Sequence, residues 1–344
     1  MKKIITILLT SSFLFLSLFF IFLTRFFVNF SYSINHQPRK LITKLKSSYQ
    51  QSQNLPASLN FLLLGLDKRD DWLEKTSVTD TILFLSLNLS NQQIHLISLP
   101  RDLWTQESMS KINAIYPQAK ETEKDYLSSI QKKFSNLTGQ KIDGILIIKT
   151  DSFTQIPALV GPINVYLENA FTDDQYPDPC YIKDPQKCPK PYMTINFDQG
   201  WNKLDENNIT PFVKSRKNAD TATNGGTDIG RSQRQQLLIE ALFTKIKDNN
   251  FIFKPDNISK LYNFWKSQTD SNITDEFLLS ILFNLKKGIF KLDLKKHQIP
   301  IGLDKFDESG VIYHPDYFTN KAWVFLPSFD NITNLQNFIS QSIK

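Results

Sequence analysis

The first hydrophobic feature of the chain is an unbroken run from Ile4 to Leu23, twenty residues without a charge, preceded by Lys2 and Lys3. That is the length needed to cross a bilayer, and no small-residue cleavage site follows, so the pattern predicts an uncleaved transmembrane signal anchor within residues 1–23. Residues 24–58 are polar and basic, with some amphipathic helical spacing, and end in Asn54–Ser58. They predict a stalk, with the folded domain occupying 59–344.

That domain opens on three apolar runs of strand length: NFLLLGLD from Asn60, VTDTILFLSLNL from Val78 and QIHLISLP from Gln93. The second and third are separated by the polar turn Ser90–Gln93 and so predict a hairpin. Paired as a meander, the three bring Asp67, Asp80 and Arg101 to one edge of a sheet. Beyond them, Tyr126, Leu127, Ile130 and Phe134 recur at helical spacing and predict a helix over Glu123–Leu137. Asp143–Lys149 and Ile163–Glu168 read as strands, with a short helix between them ending at Gly161. A long helix starts near Asp228, and two more lie between Asn257 and Lys287, the second capped at Thr274. Strands near Lys291–Ile299 and Ala322–Leu326 and a final helix over Asn331–Ile343 complete the chain. Strands alternating with helices predict an α/β or α+β sandwich.

Composition adds less. The chain has 344 residues and a formal charge of +6, enough for a sizeable core and suited to an anionic partner, but the lysines are dispersed and no nucleic-acid-binding signature is present. Its four histidines, His36, His95, His297 and His314, lack ligand spacing, and there is no P-loop or GxSxG elbow. Cys180 and Cys188 lie in a proline-rich polar loop with no histidine to complete a metal shell, so a disulfide on the oxidising side of a membrane is the more economical reading. Arg25, Arg39, Lys40, Lys44 and Lys46 outnumber the two lysines before the apolar run, yet only Arg25 is close to the membrane end, and large domains translocate largely regardless of charge.

Chemistry concentrates in two places. Two carboxylates and a guanidinium at one sheet edge suit a divalent cation and a phosphate better than a core, because buried charge is costly unless paired or bound. The core-facing stripe of the long helix, read backwards from Leu242 and Leu238, continues through Gln235 or Arg234 to Arg231 in the first turn. Arginine there opposes the helix dipole, so either it contributes to an anion site with the free N–H groups, or it is a solvated residue paired with Asp228. Lys214 and Arg216, two apart, would point to one side of an extended segment, although such a triplet is commonly plain surface.

Taken in order, GLDKRDD, TDT, SLPRDLW, KINAIY, FVKSRK and TDIGRSQRQQ resemble the motifs of the LytR-CpsA-Psr family of bacterial envelope proteins, over roughly Leu59–Ile246. The resemblance implies a three-layer α-β-α sandwich with a central mixed sheet and an apolar lipid pocket, held extracytoplasmically by a single-pass anchor in the cell membrane. It further implies a phosphotransferase that moves a glycopolymer from a polyprenyl-pyrophosphate carrier to peptidoglycan. By motif match, Asp67 and Asp80 would hold Mg2+ or Mn2+, with Arg101 the third member of the catalytic set. Arg101, Lys111, Lys214, Arg216, Arg231 and Gln235 would grip the pyrophosphate. Two positions depart from the family pattern: Val78 stands where an arginine is usual beside the metal carboxylate, and Lys214 opens what is usually an Arg-x-Arg segment. A lipid-pyrophosphate-binding protein with weakened catalysis, or a pyrophosphatase releasing the glycan to water, are the competing expectations.

Overall fold

The computed structural model describes residues 17, 20–67, 78–188, 190–216, 228–247, 251, 254–285, 288, 291–316 and 322–344. Most of the Ile4–Leu23 run lies outside them. A helix is described over 20–33, and among the described residues no helix is long and apolar enough to cross a membrane.

The frame is a six-stranded mixed sheet built from β1 (Ser58–Asp67), β2 (Val78–Asn88), β3 (Gln93–Ser98), β4 (Gly144–Lys149), β5 (Thr269–Ser271) and β6 (Asp293–Gln298), in the order β5-β4-β1-β2-β3-β6. The β1–β2–β3 meander is antiparallel, β4 runs parallel to β1, β6 runs parallel to β3, and β5 is antiparallel to β4. Strand β1 is apolar almost without interruption because it is covered on both faces. Leu62, Leu64 and Leu66 point to one core and Leu59 and Phe61 to another.

Helices α1 (Pro38–Ser52), α2 (Ile115–Thr122), α3 (Tyr126–Thr138), α4 (Asp228–Lys247), α5 (Asp275–Asn284) and α6 (Ile332–Ser342) surround the sheet. The first core takes Ile115 of α2, Ile130 and Phe134 of α3, and Leu335 and Ile339 of α6. On the opposite face, Phe243 of α4 and Ile281 of α5 meet Leu87 and Ile94. Local signals set the helix ends. Asp125 accepts from Ser128 N at the start of α3, Gly139 ends it with φ +66, and Thr274 accepts from Phe277 N to cap α5. Helix α1 packs along α5, with Leu41 buried and Ser52 carbonyl accepting from Asn284.

A third apolar cluster sits beside the sheet. It joins Leu238 of α4, Phe212 and Val213 of the Ile209–Lys214 helix, and two ribbons, Ile163–Leu167 paired with Gly200–Leu204 and Phe171–Pro177 paired with Tyr192–Phe197. Cys180 and Cys188, between the strands of the second ribbon, are joined by a disulfide with Cα atoms 5.9 Å apart. The Ala322–Leu326 run is not the strand expected. Regular pairing there is confined to Leu326–Pro327, with one bridge from Phe325 to Leu103.

Candidate functional site

The strand directions place the end of β1, the start of β2 and the residues following β3 at one sheet edge, as the meander predicts. Asp67 pairs with Val78 and Leu66 with Thr79, but Gly65 pairs with Thr81, so Asp80 is the extra residue of a β-bulge. A bulge re-aims a side chain out of the ladder's alternation and is common beside functional sites. Gly65 lets the two backbones approach there: a Cβ on it would meet the Thr81 Cβ at 2.8 Å.

Two arginines from separate elements converge on the buried Asp80. Arg101 donates from Nη1 to its Oδ1 at 2.6 Å. Arg231, in the first turn of α4, brings Nη1 to 3.7 Å from Oδ2 and donates from Nη2 to the Asp80 carbonyl at 3.3 Å. Burial works to raise the Asp80 pKa, but the Arg101, Arg231 and Arg216 charges outweigh it and hold the carboxyl below the usual carboxylate range. Asp102 extends the network, accepting from Arg101 Nε at 3.3 Å and from Lys111 Nζ at 2.6 Å. Nothing in the spacing of the sequence singled out Asp102, although it follows Arg101 directly.

Lys214 is placed differently from the sequence expectation. Ile209, Phe212 and Val213 form a buried stripe at helical spacing, so Lys214 ends a short helix instead of lying in an extended segment with Arg216. Its ammonium reaches Asp67 Oδ1 at 2.9 Å and Asp151 Oδ1 at 3.0 Å. Burial works to lower the lysine pKa, and the two carboxylates reverse this to a net rise. Past the helix, Asp173 accepts from Ser215 Oγ at 2.5 Å and from Arg216 N at 3.2 Å, leaving the Arg216 side chain exposed. Arg234 clamps this segment to α4. It donates to the Phe212 and Ser215 carbonyls and lies 4.3 Å from the Phe171 ring centroid, with its pKa pushed down to about 10 by burial and the neighbouring Arg231. Gln235 donates to Val213 carbonyl at 3.3 Å. Asp173 and Arg234 therefore position the cationic segment, a role visible only once the chain is folded.

Asp80, Arg101, Arg231 and Gln235 line a cavity of about 510 Å³ whose remaining wall includes Ile82, Leu83, Leu99, Ile299, Trp323 and Phe325. A charged mouth on an apolar body fits an amphiphile with an anionic head. Among the described residues no group of three or more His, Cys, Asp or Glu side chains is placed to hold a metal ion. Asp67 and Asp80 are hard carboxylate-oxygen donors on adjacent strands, the first paired with Lys214 and the second with Arg101. That donor chemistry fits Mg2+ or Mn2+ when phosphate oxygens and water complete the shell. Lys68, Arg69 and Lys75, the basic residues that could offset Val78, lie outside the described residues.

Comparison with known proteins gives the same picture of the frame. The TagU polyisoprenyl-teichoic acid–peptidoglycan teichoic acid transferase of Oceanobacillus iheyensis is 25% identical over 248 residues, covering 70% of this chain and 68% of that protein. The crystal structure of Bacillus subtilis TagV superposes with a TM-score of 0.56 at 18% identity, covering 84% of this chain and 98% of that one. A structure of TagT bound to LIIa-WTA gives 0.53 at 16% identity, covering 83% and 89%. The profile of the LytR_cpsA_psr family matches residues 25–325, and the chain belongs to that family.

Proposed function

We propose that the protein is a membrane-anchored phosphotransferase that moves a glycopolymer from a polyprenyl-pyrophosphate carrier to peptidoglycan on the extracytoplasmic side. The observation that carries this reading is the union, in one cavity, of the Asp80–Arg101–Arg231 cluster with an apolar body. The covered sheet is read as the three-layer sandwich of the family, and the Ile4–Leu23 run as its anchor. The Cys180–Cys188 disulfide favours the oxidising side.

In the proposed reaction a hydroxyl oxygen of the acceptor attacks the phosphorus that carries the glycan. The bond from that phosphorus to the polyprenyl phosphate oxygen breaks, and the electron pair leaves on polyprenyl monophosphate. Charge grows on the phosphate oxygens, and Arg101, Arg231, Arg216 and Lys111 are the cations gathered to neutralise it. Asp80, held ionised by its arginines, orients them and is a poor proton acceptor. Asp67, only half-buried beside Lys214, is the carboxylate left to take the hydroxyl proton. A divalent cation held by Asp67 and Asp80 would supply further charge neutralisation at the phosphates.

A second reading, a lipid-pyrophosphate binder with weakened turnover, is favoured by Val78 and by Lys214, whose charge is already shared between Asp67 and Asp151 and lacks the arginine fork. The full chain, in detergent with Mg2+ and a lipid-linked oligosaccharide, discriminates these. Glycan on added peptidoglycan supports transfer. Lipid retained without turnover supports the binder, and glycan released to water without acceptor supports a pyrophosphatase.

A further inference from the structure

Trp201 and Tyr166 face each other across the Gly200–Leu204 and Ile163–Leu167 ribbon as a register pair. Their rings stand 5.4 Å apart at 71°, yet they are 74% and 49% exposed. An indole left this open does not serve the core, since Val165 and Ile163 of the same ribbon supply the buried side. The pair stands over a cleft of about 620 Å³ along α4, which adjoins a second of about 530 Å³ through Tyr166, Leu237 and Glu240. That second cleft meets the charged cavity at Gln233 and Gln298. The result is a continuous track beside α4 from Gln233 to Lys245, about 18 Å at the helical rise per residue.

We propose that this track binds an extended glycan strand, with Tyr166 and Trp201 as its stacking platform and the reaction cavity at its head. Sugar rings offer apolar C–H faces to aromatic rings and hydroxyls to planar polar groups, and the track provides both kinds of partner. Asn164, Gln233 and Lys245 offer donors, while Glu240 is neutralised by Lys296 across the wall. This balanced charge argues for sugar hydroxyls over an anionic bilayer or a nucleic acid, either of which would call for an excess of cations. The balanced charge favours an uncharged strand, and the inference rests on the transferase reading only for naming that strand the acceptor.

The test is calorimetric titration of the full chain in detergent with two probes, an N-acetylglucosamine tetrasaccharide for the uncharged acceptor strand and a lipid-free anionic glycopolymer fragment as the charged alternative. Wild type is expected to bind the tetrasaccharide and not the anionic fragment. Trp201→Ala should bind the tetrasaccharide about tenfold more weakly, the size of an aromatic stacking contact, and Trp201→Phe should recover part of the loss. Because Trp201 is exposed, an unchanged melting temperature is expected in both variants. Equal affinity in wild type and Trp201→Ala, no binding of the tetrasaccharide, or Trp201-dependent co-sedimentation with phosphatidylglycerol vesicles in place of sugar binding would each overturn the proposal. Trp201-dependent tetrasaccharide binding in a chain that shows no transfer leaves the groove standing separately from the chemistry.

Discussion

Asp80 and Arg101 depend on one another more than their positions in the chain disclose. The sequence discloses both, because each sits where an apolar run meets a charge. It does not disclose the bulge that turns Asp80 inward, nor Asp102, whose partners Arg101 and Lys111 are near in the chain, nor Asp173, whose contacts are made across the fold. If the proposed function holds, Arg101→Ala removes a cation assigned to the pyrophosphate and should lower kcat by about 10²–10³-fold, as loss of one electrostatic donor does elsewhere. It also leaves the buried Asp80 with Arg231 as its remaining nearby partner among these two arginines, so a stability loss of about 1–3 kcal/mol should accompany it. Arg101→Lys keeps a charge beside Asp80 but lacks the planar fork. It should therefore retain most of the stability while still losing activity. Steady-state transfer kinetics and urea midpoints on both variants check this, and wild-type turnover in either would remove Arg101 from the site.

Most elements were legible from periodicity because their apolar residues are spaced for one secondary structure only. The meander, α3, α4, α5 and α6 all lie within a few residues of the pattern. The Ile209–Lys214 helix was not, since a six-residue element carries less than two turns of periodic signal and ends in a basic triplet that reads as surface. What holds α1 against α5 was equally hidden. Asp275, next to the Thr274 cap, accepts from Lys44 at 2.6 Å and Tyr262 at 3.1 Å and pairs with Lys266 at 2.7 Å. Burial works to raise its pKa, but the lysines win and hold the carboxyl far below the usual range. Because the folded value is depressed, this stabilisation is present above the unfolded carboxylate pKa of about 3.9 and lost as pH falls through the folded value. Asp275→Asn should thus lower the urea midpoint at pH 7, by about 2 kcal/mol for charged hydrogen bonds lost. The gap to wild type should begin to narrow below about pH 4. A gap independent of pH would show that the carboxylate charge is not what joins the two helices.

For the whole molecule, the order of strands was the least legible feature, because periodicity says that a strand exists and not where it inserts. Strand β6 enters the sheet parallel to β3 after almost two hundred intervening residues, and this brings His95 Nδ1 to 3.0 Å from His297 Nε2, two residues whose spacing carried no signal. The same holds at the other end of the chain, where residues 24–58 look like a stalk by composition. In the folded protein α1 buries Leu41, sets Tyr49 edge-to-face on Phe283 at 5.8 Å and reaches Asp275 through Lys44. A chain lacking residues 1–33 keeps all of these contacts, whereas one lacking 1–57 loses them and uncovers α5. Burial of one leucine and one charged hydrogen bond together contribute about 3 kcal/mol, so the shorter chain should unfold at a clearly lower urea concentration. Its transfer activity per folded molecule should be unchanged, because no residue of the Asp80–Arg101–Arg231 cluster touches α1 in the contacts that build the site. Equal urea midpoints for the two truncations would make α1 a spacer between membrane and domain, and a lower midpoint with intact turnover would make it the outer layer of the domain itself.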